Sequence, residues 1–390
     1  MFRRIDVRLL FLLVSGIAML RSTTHLPLHG GKAPAWLFDR MHRLAGSVVQ
    51  LIVEDRGPGE MLRRLADPLW FQAFGCVLGF DWHSSGLTTV TCGAIKEAYR
   101  RLGDDLGVHV AGGKGGASRK TPDQIADVAD RVGLPGDRLI HASRMSAKVD
   151  SSAVQDGYQI YTHHFFFAAD DWCVVQQGMN DTNGYARRYH WLGSTVEDFV
   201  CEPHNAVASP PADGTDLLNM VARPATGSRQ RSVELARMEP GRVLREVSVG
   251  PSLFMPVHHP VERADINPGR LERVLRMTCE HQPADFESLL SLPGVGPATI
   301  RSLALLSELI YGEPACRRDV TRLWTPTDPA TFSYAHGGKD GHPFPVDRPT
   351  YDQSINLLES AVRRAKIDPA GKDQALYRLS TWCGHVSARM

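Results

Sequence analysis

Apolar residues recur at helical spacing through the first hundred residues of the chain. In the clearest run, which follows residue 34, they lie three or four apart: Leu37, Met41, Leu44, Val48 and Leu51. This spacing puts all five side chains on one face of a helix. Aromatic and small residues are then dense from residue 67, and the pattern predicts another helix near 93–102.

Around Tyr158 the apolar pattern changes from helical spacing to alternation. The stretch YQIYTHHFFFAADDWCVVQQG, residues 158–178, favours two strands joined at 168–171 and so predicts a β-hairpin. His163 and His164 are adjacent on the first strand, so they must point to opposite faces of it. At most one of them can therefore face a given site.

Beyond the predicted hairpin, composition indicates the domain boundaries. Residues 209 to about 245 are rich in Pro, Gly, Ser and Arg, as is typical of a linker or exposed arm. From residue 268 the pattern is helical again, at 268–280, 352–366 and 371–386. We therefore predict an α+β fold in three parts: a mixed domain with the β-hairpin at 19–208, a linker or arm at 209–266, and a mostly helical domain at 267–390.

Composition alone excludes little. The chain has 390 residues, of which 43% are hydrophobic and 22% are charged, and its formal net charge is +1. These values are typical of a globular protein, and the net charge neither favours nor excludes nucleic acid, because steering depends on where the charge lies. The seven cysteines are scattered without a C-x-x-C pair. This spacing predicts neither a zinc ribbon nor a disulfide framework.

The first eighteen residues are atypical. Three arginines precede an apolar run at 9–20, as in a signal peptide, but no A-x-A cleavage site follows. The run is too short to span a bilayer as a helix. We interpret 1–18 as a start-site extension ahead of Met19 or as a signal-like segment, and we expect a cytoplasmic protein with no membrane partner.

The stretch LLSLPGVGPATIRSLALLSELI, residues 289–310, places two glycines and two prolines between apolar helical runs. Glycine permits the positive φ and the close approach that a tight turn needs. Pro297 falls at the start of the second helix, where its missing N–H costs little. The free amides at that helix start, with the helix dipole, can hold a phosphate. A plain turn between packed helices is the alternative.

These residues resemble the helix-hairpin-helix motif, whose hairpin reads L-P-G-(V/I)-G ahead of a helix. The resemblance implies sequence-independent binding to the DNA backbone, a contact that positions but does not specify. The chain departs from the motif at Pro297 and Ala298, where a basic residue is often found. The residues expected at the DNA are Gly294, Val295, Gly296 and Thr299.

Several longer strings together resemble the prokaryotic family known as domain of unknown function 763. They include FQAFGCVLGFDWHSSGLTTVT at 71–91, GGKGGASRKTP at 112–122 and YAHGGKDGHPFPVDR at 334–348. The resemblance runs from about residue 20 to residue 366, which favours Met19 as the first residue. It implies no catalytic residues, so the chemistry has to be inferred from the residues themselves.

The polar residues in and after the β-hairpin are the densest set able to bind metal and phosphate together. Histidine and carboxylate can hold Mn²⁺ or Mg²⁺, which lowers the pKa of a bound water, and arginines can grip phosphates. We therefore predict a divalent-metal-dependent nuclease acting in DNA repair or processing, with His164 and Glu202 as metal ligands. The residues predicted to act with the metal are Asp81, His83, Gln177, Arg187, Arg188 and His190.

Other interpretations of these polar residues stay open. The set around the β-hairpin can be a hydrogen-bonded network without chemistry, because no spacing in it is diagnostic. Asp81 and His83, followed by two serines, can form a turn and a helix cap. The glycine-rich loop at 112–120 lacks the Walker spacing, so no nucleotide triphosphate is expected. Its basic residues either contact DNA phosphate or belong to a plain surface loop: Lys114, Arg119 and Lys120.

Two further functions compete with a nuclease. DNA glycosylases that resemble endonuclease III carry the same hairpin and a catalytic aspartate downstream of it, near the position of Asp319 here. The hairpin lysine of those enzymes is absent from this chain. The other function is a non-catalytic DNA-binding scaffold whose basic arm at 223–245 recruits proteins. The sequence does not predict the oligomeric state.

Overall fold

In a computed structural model of the chain, a central antiparallel sheet lies between two layers of helices. The structure describes residues 26–28, 33–80, 85–209, 217–243, 268–320 and 348–364. Helix and sheet are therefore mixed, as the α+β prediction required. Among the helices that the structure describes, none is both long and apolar enough to cross a membrane.

Four helices form the amino-terminal layer: α1 (Ala35–Arg56), α2 (Pro58–Ala66), α3 (Pro68–Val77) and α4 (Gly86–Leu102). The predicted apolar face of α1 is confirmed, since Leu37, Met41 and Leu44 are fully buried. Asp67 separates α2 from α3, because its carboxylate accepts hydrogen bonds from the amides of Leu69 and Trp70 and so caps α3.

The central sheet has five antiparallel strands in the order β1-β3-β4-β5-β6. Its strands are β1 (His109–Lys114), β3 (Gln159–Phe167), β4 (Trp172–Asn180), β5 (Tyr185–Leu192) and β6 (Ala206–Ala208). Strands β3 and β4 confirm the predicted hairpin, which closes with a hydrogen bond from the Ala168 amide to the Asp171 carbonyl. A separate pair joins β2 (Val154–Gln155) to β7 (Leu218–Asn219).

Alternation along the strands gives the sheet two buried faces. We call the face that carries Phe166, Val175 and Leu192 the back face, and it packs against α1 to α4. The opposite face, which carries Phe165 and Trp191, is the front face. Both faces are buried, so the polar side chains of these strands are buried together with the apolar ones.

The front face is covered first by helices that follow β1: α5 (Gly116–Arg119), α6 (Thr121–Val132) and α7 (Gly136–Lys148). A π-helical turn, Val149–Ala153, leads from α7 into β2. Four later helices share the same apolar core: α8 (Thr226–Arg237), α9 (Pro268–His281), α10 (Phe286–Ser291) and α11 (Pro297–Tyr311).

One helix lies inside the predicted linker, and one helix of the predicted helical domain lies on the opposite side of the sheet from the others. Part of the predicted linker is α8, whose residues Val233, Leu235 and Ala236 are buried in the front core. The predicted helical domain is divided, because its last described helix, α12 (Arg348–Arg364), packs on the back layer through a buried Tyr351. The Tyr351 hydroxyl donates to the Leu78 carbonyl at 2.7 Å. The predicted segments 1–18 and 371–386 lie outside the described residues.

Candidate functional site

The segment 292–296 joins α10 to α11 in a tight turn. Asp285 starts α10 with a capping box, in which its carboxylate accepts from the Ser288 amide and the Ser288 hydroxyl accepts from the Asp285 amide. Gly294 has φ +82°, a conformation that favours glycine. The Val295 side chain is buried beneath the turn and its amide donates to the Leu292 carbonyl. The buried valine anchors the turn to the core.

Two amides of this turn are open. Within the described part of the chain, the N–H groups of Gly294 and Gly296 have no hydrogen-bond partner. Gly296 is the N-cap of α11 and has an extended backbone, and a Cβ added there meets nothing within 4 Å. The first amides of a helix also lack intrahelical partners and lie at the positive end of its dipole. The open side of the turn therefore favours an anion.

Lys148, the last residue of α7, places an ammonium group against the carbonyl side of the turn. Its Nζ donates to the Val295 carbonyl at 2.6 Å and to the Leu292 carbonyl at 3.1 Å. Burial lowers the pKa of Lys148, and no carboxylate is its partner among the residues that the structure describes. Lys148 therefore places a cation at a turn whose following residues, Pro297 and Ala298, carry no charge.

A second brace ties the first turn of α11 to β2. Gln155 Nε2 donates to the Pro297 carbonyl at 2.8 Å, and Arg301 Nε donates to Gln155 Oε1 at 2.7 Å. The side chains of Val295 and Thr299 are buried, with 2% and 7% exposed. Of the four residues predicted to contact DNA, Gly294 and Gly296 are therefore the two that are not buried, and their backbone N–H groups have no partner among the described residues.

Arg187 is the centre of a charged network on the front face. Its Nη1 donates to Asp156 at 2.6 Å and to Asp319 at 2.8 Å, and its Nη2 donates to the second oxygen of Asp319 at 2.9 Å. Asp156 also accepts from the Tyr189 hydroxyl at 2.7 Å. Asp319 is fully buried in this pair. The described geometry therefore favours a structural role for Asp319 over the predicted glycosylase role.

A third carboxylate lies under the same face. Asp150 is fully buried, accepts hydrogen bonds from Gln176 and from Trp191 Nε1, and contacts His204 Nε2 at 2.5 Å. Gln176 also contacts His163 through its amide oxygen at 2.7 Å. Every one of these groups is bonded within the fold, so the cluster stabilises the contact between the sheet and α7.

The back face holds a polar network built on Arg188. This guanidinium donates to Gln72 Oε1 at 2.9 Å, Thr88 Oγ1 at 3.1 Å and His190 Nε2 at 2.8 Å. Gln177 belongs to the same network, since it accepts from the Thr88 hydroxyl and donates to the Tyr161 hydroxyl. Arg188 is fully buried, and burial lowers its pKa to about 9.

A family model described as "Protein of unknown function (DUF763)" matches residues 22–346. The chain belongs to this family. The match confirms the family resemblance that the sequence suggested, and its description assigns no activity. No curated protein matches the chain, and no solved structure matches it.

The two residues predicted to bind a metal are not close together in this protein, because they lie on different sides of the sheet. His164 faces the back layer, where it contacts the Thr162 hydroxyl, and burial lowers its pKa to about 3. Glu202 lies on the front side beside His204, and its carboxylate accepts from the amide and guanidinium of Arg223. Among the described residues, no group of three or more His, Cys, Asp and Glu side chains is placed to hold a metal.

The other predicted catalytic residues are also separated by the sheet. Arg187 faces the front, whereas Gln177, Arg188 and His190 face the back, and all four are fully buried. Strand alternation explains this, because neighbours in β5 point to opposite faces. Asp81 and His83 lie outside the described residues.

The predicted basic loop contains the end of β1 and the short helix α5, and its three predicted contact residues are exposed: Lys114, Arg119 and Lys120. The Lys114 ammonium lies over the Tyr161 ring, 5.4 Å from its centroid. The loop begins with a hydrogen bond from the Gly115 amide to the Tyr161 carbonyl at 2.8 Å. Its basic side chains are accordingly exposed on the surface near the start of β3.

Proposed function

We propose that this protein binds the backbone of DNA without sequence preference, with the turn 292–296 acting as the hairpin of a helix-hairpin-helix. The observation that carries the proposal is the pair of unpartnered amides at Gly294 and Gly296, set at the start of α11. Lys148 adds a cation on the other side of the same turn.

The chemistry of this turn suits a phosphate better than a base. Amide N–H groups and an ammonium are donors only, and a phosphate oxygen accepts from both. A base edge presents donors as well as acceptors, so donors alone do not read it. Contacts to the phosphate fix where the nucleic acid lies and carry no sequence information. The ligand expected at the turn is therefore the DNA backbone.

Nuclease activity with Mn²⁺ or Mg²⁺ stays a separate prediction. Its described candidate residues are either buried or bonded within the fold, so the geometry favours the DNA contact over the cleavage. Incubation of the protein with labelled single- and double-stranded DNA, with Mn²⁺ and with EDTA, tests it. Backbone cleavage that EDTA stops is the outcome that the prediction requires, and no cleavage under any condition contradicts it.

Substitution at Gly296 tests the DNA contact cleanly. Its extended backbone and open surroundings accept Val without strain, but the new side chain covers the amides that a phosphate needs. We expect Gly296→Val to weaken binding of a random-sequence duplex by about tenfold or more, the value of one charge-assisted hydrogen bond. Fluorescence anisotropy at several salt concentrations measures this, and affinity should fall steeply with salt.

Matched glycine variants control for the substitutions themselves. Gly59→Val introduces the same side chain in the first turn of α2, where its Cβ meets only the Arg63 guanidinium at 3.6 Å. Gly294→Ala and Gly133→Ala form a second pair, since both glycines have positive φ and room for a Cβ. Binding that is unchanged in both turn variants, while all four proteins keep their helical circular dichroism, would show that the turn is only structural.

A further inference from the structure

A polar groove begins where α11 starts and runs along the entry to β3. Its volume is about 820 Å³. The floor is the segment 154–160, one wall is the end of β4 with the turn after it, and the other wall is formed by Pro297 and Arg301. Pro297 follows Gly296 directly, so one end of the groove adjoins the proposed phosphate contact.

The groove presents hydrogen-bonding groups that are not charged. Gln159, Asn180 and Thr182 line it. Within the described residues, three of their side-chain groups have no hydrogen-bond partner: the carboxamide of Gln159, Nδ2 of Asn180 and the hydroxyl of Thr182. Amides and hydroxyls donate and accept, as the edges of bases do. The groove is therefore suited to base edges, in contrast to the donor-only turn beside it.

Its charges are also compatible with a polyanion. Arg301 is the cationic side chain of the described lining, and its Nε donates to Gln155 Oε1 at 2.7 Å. Asp156 is the carboxylate of the lining, but it is buried and accepts from the Arg187 guanidinium and the Tyr189 hydroxyl. The acidic group is thus paired within the fold rather than presented to the groove.

The far end of the groove leads to a second basic surface. Ile160 lines the groove, and the next residue, Tyr161, accepts from the Gly115 amide and carries the Lys114 ammonium over its ring. The exposed Arg119 and Lys120 belong to the same loop. Phosphate-binding groups therefore lie beyond both ends of a groove whose middle suits bases.

A duplex does not fit this arrangement. In a duplex the Watson–Crick edges of the bases are paired, and a protein reads the remaining edges by inserting a helix or a strand into a groove of the DNA. Here the protein surface is itself concave, with a volume in the range of about 300–1,000 Å³ that is usual for small-ligand sites. Bases enter such a cleft only when they are unpaired and splayed from the stack.

We propose that the groove receives the unpaired strand of a DNA ligand, so that the preferred substrate carries a single-stranded segment next to the phosphate held at the turn 292–296. This inference rests on the proposed DNA contact and adds the class of DNA to it. The hairpin grips the backbone, the groove takes the adjoining unpaired nucleotides, and the basic loop with Lys114 takes the backbone beyond them.

Filling the groove tests the inference in the full-length protein. Thr182→Trp places a large side chain in the wall of the groove, and Gln159→Trp does so from its floor. Asp181→Trp is the matched control, because Asp181 is an exposed neighbour in the same turn and is not part of the lining. The control removes a negative charge, so by itself it cannot imitate a loss of DNA affinity.

The probes are a single strand, a blunt duplex and a duplex with a single-stranded overhang, all of one random sequence. The unmodified protein should bind the overhang duplex at least tenfold more tightly than the blunt duplex. Thr182→Trp and Gln159→Trp should each remove most of that preference and leave blunt-duplex binding unchanged, while Asp181→Trp should keep the preference.

Equal binding of the two duplexes by the unmodified protein, or a preference that survives both groove variants, overturns the inference. If Gly296→Val loses DNA binding, the proposed DNA contact stands whether or not the groove variants lose the preference. Unchanged binding in the glycine variants would instead contradict the DNA contact itself.

Discussion

Arg187 and Arg188 are consecutive in β5, yet their surroundings differ in charge. Arg187 is bound by two buried carboxylates, Asp156 and Asp319, and although burial opposes it, these charges hold the pKa of Arg187 above its ordinary value. Arg188 is bonded to neutral groups, and in the described part of the chain no carboxylate contacts it. The same residue type therefore contributes to stability in two different ways.

Replacing each arginine by methionine should separate these two roles. Arg187→Met leaves two buried carboxylates without a cation, which typically costs about 3–5 kcal/mol of unfolding free energy. Arg188→Met removes a buried cation and leaves only neutral partners, so we expect a smaller loss. Urea unfolding of both variants at pH 7.5 measures the difference. Equal losses would contradict the assignment of different roles to the two arginines.

At the scale of elements, the turn 292–296 depends on a helix that lies far away in sequence. Lys148 at the end of α7 donates to two carbonyls of the turn, so its charge lies on the carbonyl side of the proposed phosphate contact. Lys148→Met should therefore weaken DNA binding and lower the salt dependence by about 0.9 in the slope of log affinity against log salt, the value of one phosphate contact. Lys148→Arg keeps the charge and should keep the slope. A slope that is unchanged in Lys148→Met, with weaker binding, would assign Lys148 to positioning alone.

The elements that the sequence predicted correctly are those with a local signal. The period of two around Phe165 predicted the β3–β4 hairpin, and the helical spacing after residue 34 predicted the buried face of α1. The contact between Lys148 and the turn had no such signal, because the two are separated by 144 residues or more. Arg187 and Arg188 were predicted to act together, although the alternation that separates His163 from His164 also separates them.

At the scale of the whole molecule, the central sheet links the front core, the back core and the candidate DNA surface. The segment from α7 to β3 braces the turn at Lys148 and Gln155, forms the floor of the groove, and then enters the central sheet. The back layer contains a second core. An ion pair between Arg40 and Asp352 at 3.0 Å links α12 to α1 of this layer. We therefore expect a loss of packing on either face to perturb the candidate DNA surface as well, because the strands connect the two.

Acid should loosen both faces together, because buried histidines lie on each. Burial lowers the pKa of His163 on the front face and of His164 and His190 on the back face. The unfolded chain takes up these protons below the ordinary value of about 6.5, whereas the folded chain resists them, so stability present above that pH is lost as the pH falls. For His164, with a folded pKa of about 3, the loss at pH 5 is about 2 kcal/mol.

Urea unfolding at pH 7.5 and pH 5.0 measures this dependence. The unmodified protein should lose about 2 kcal/mol more between the two pH values than His164→Gln does, since the variant has no proton to take up at that site. His141→Gln, at a histidine whose side chain is 50% exposed, serves as the control and should retain the full loss. If His164→Gln also retained the full loss, His164 would have to accept its proton in the folded protein, and its burial against the amino-terminal layer would contribute nothing to the acid sensitivity of the fold.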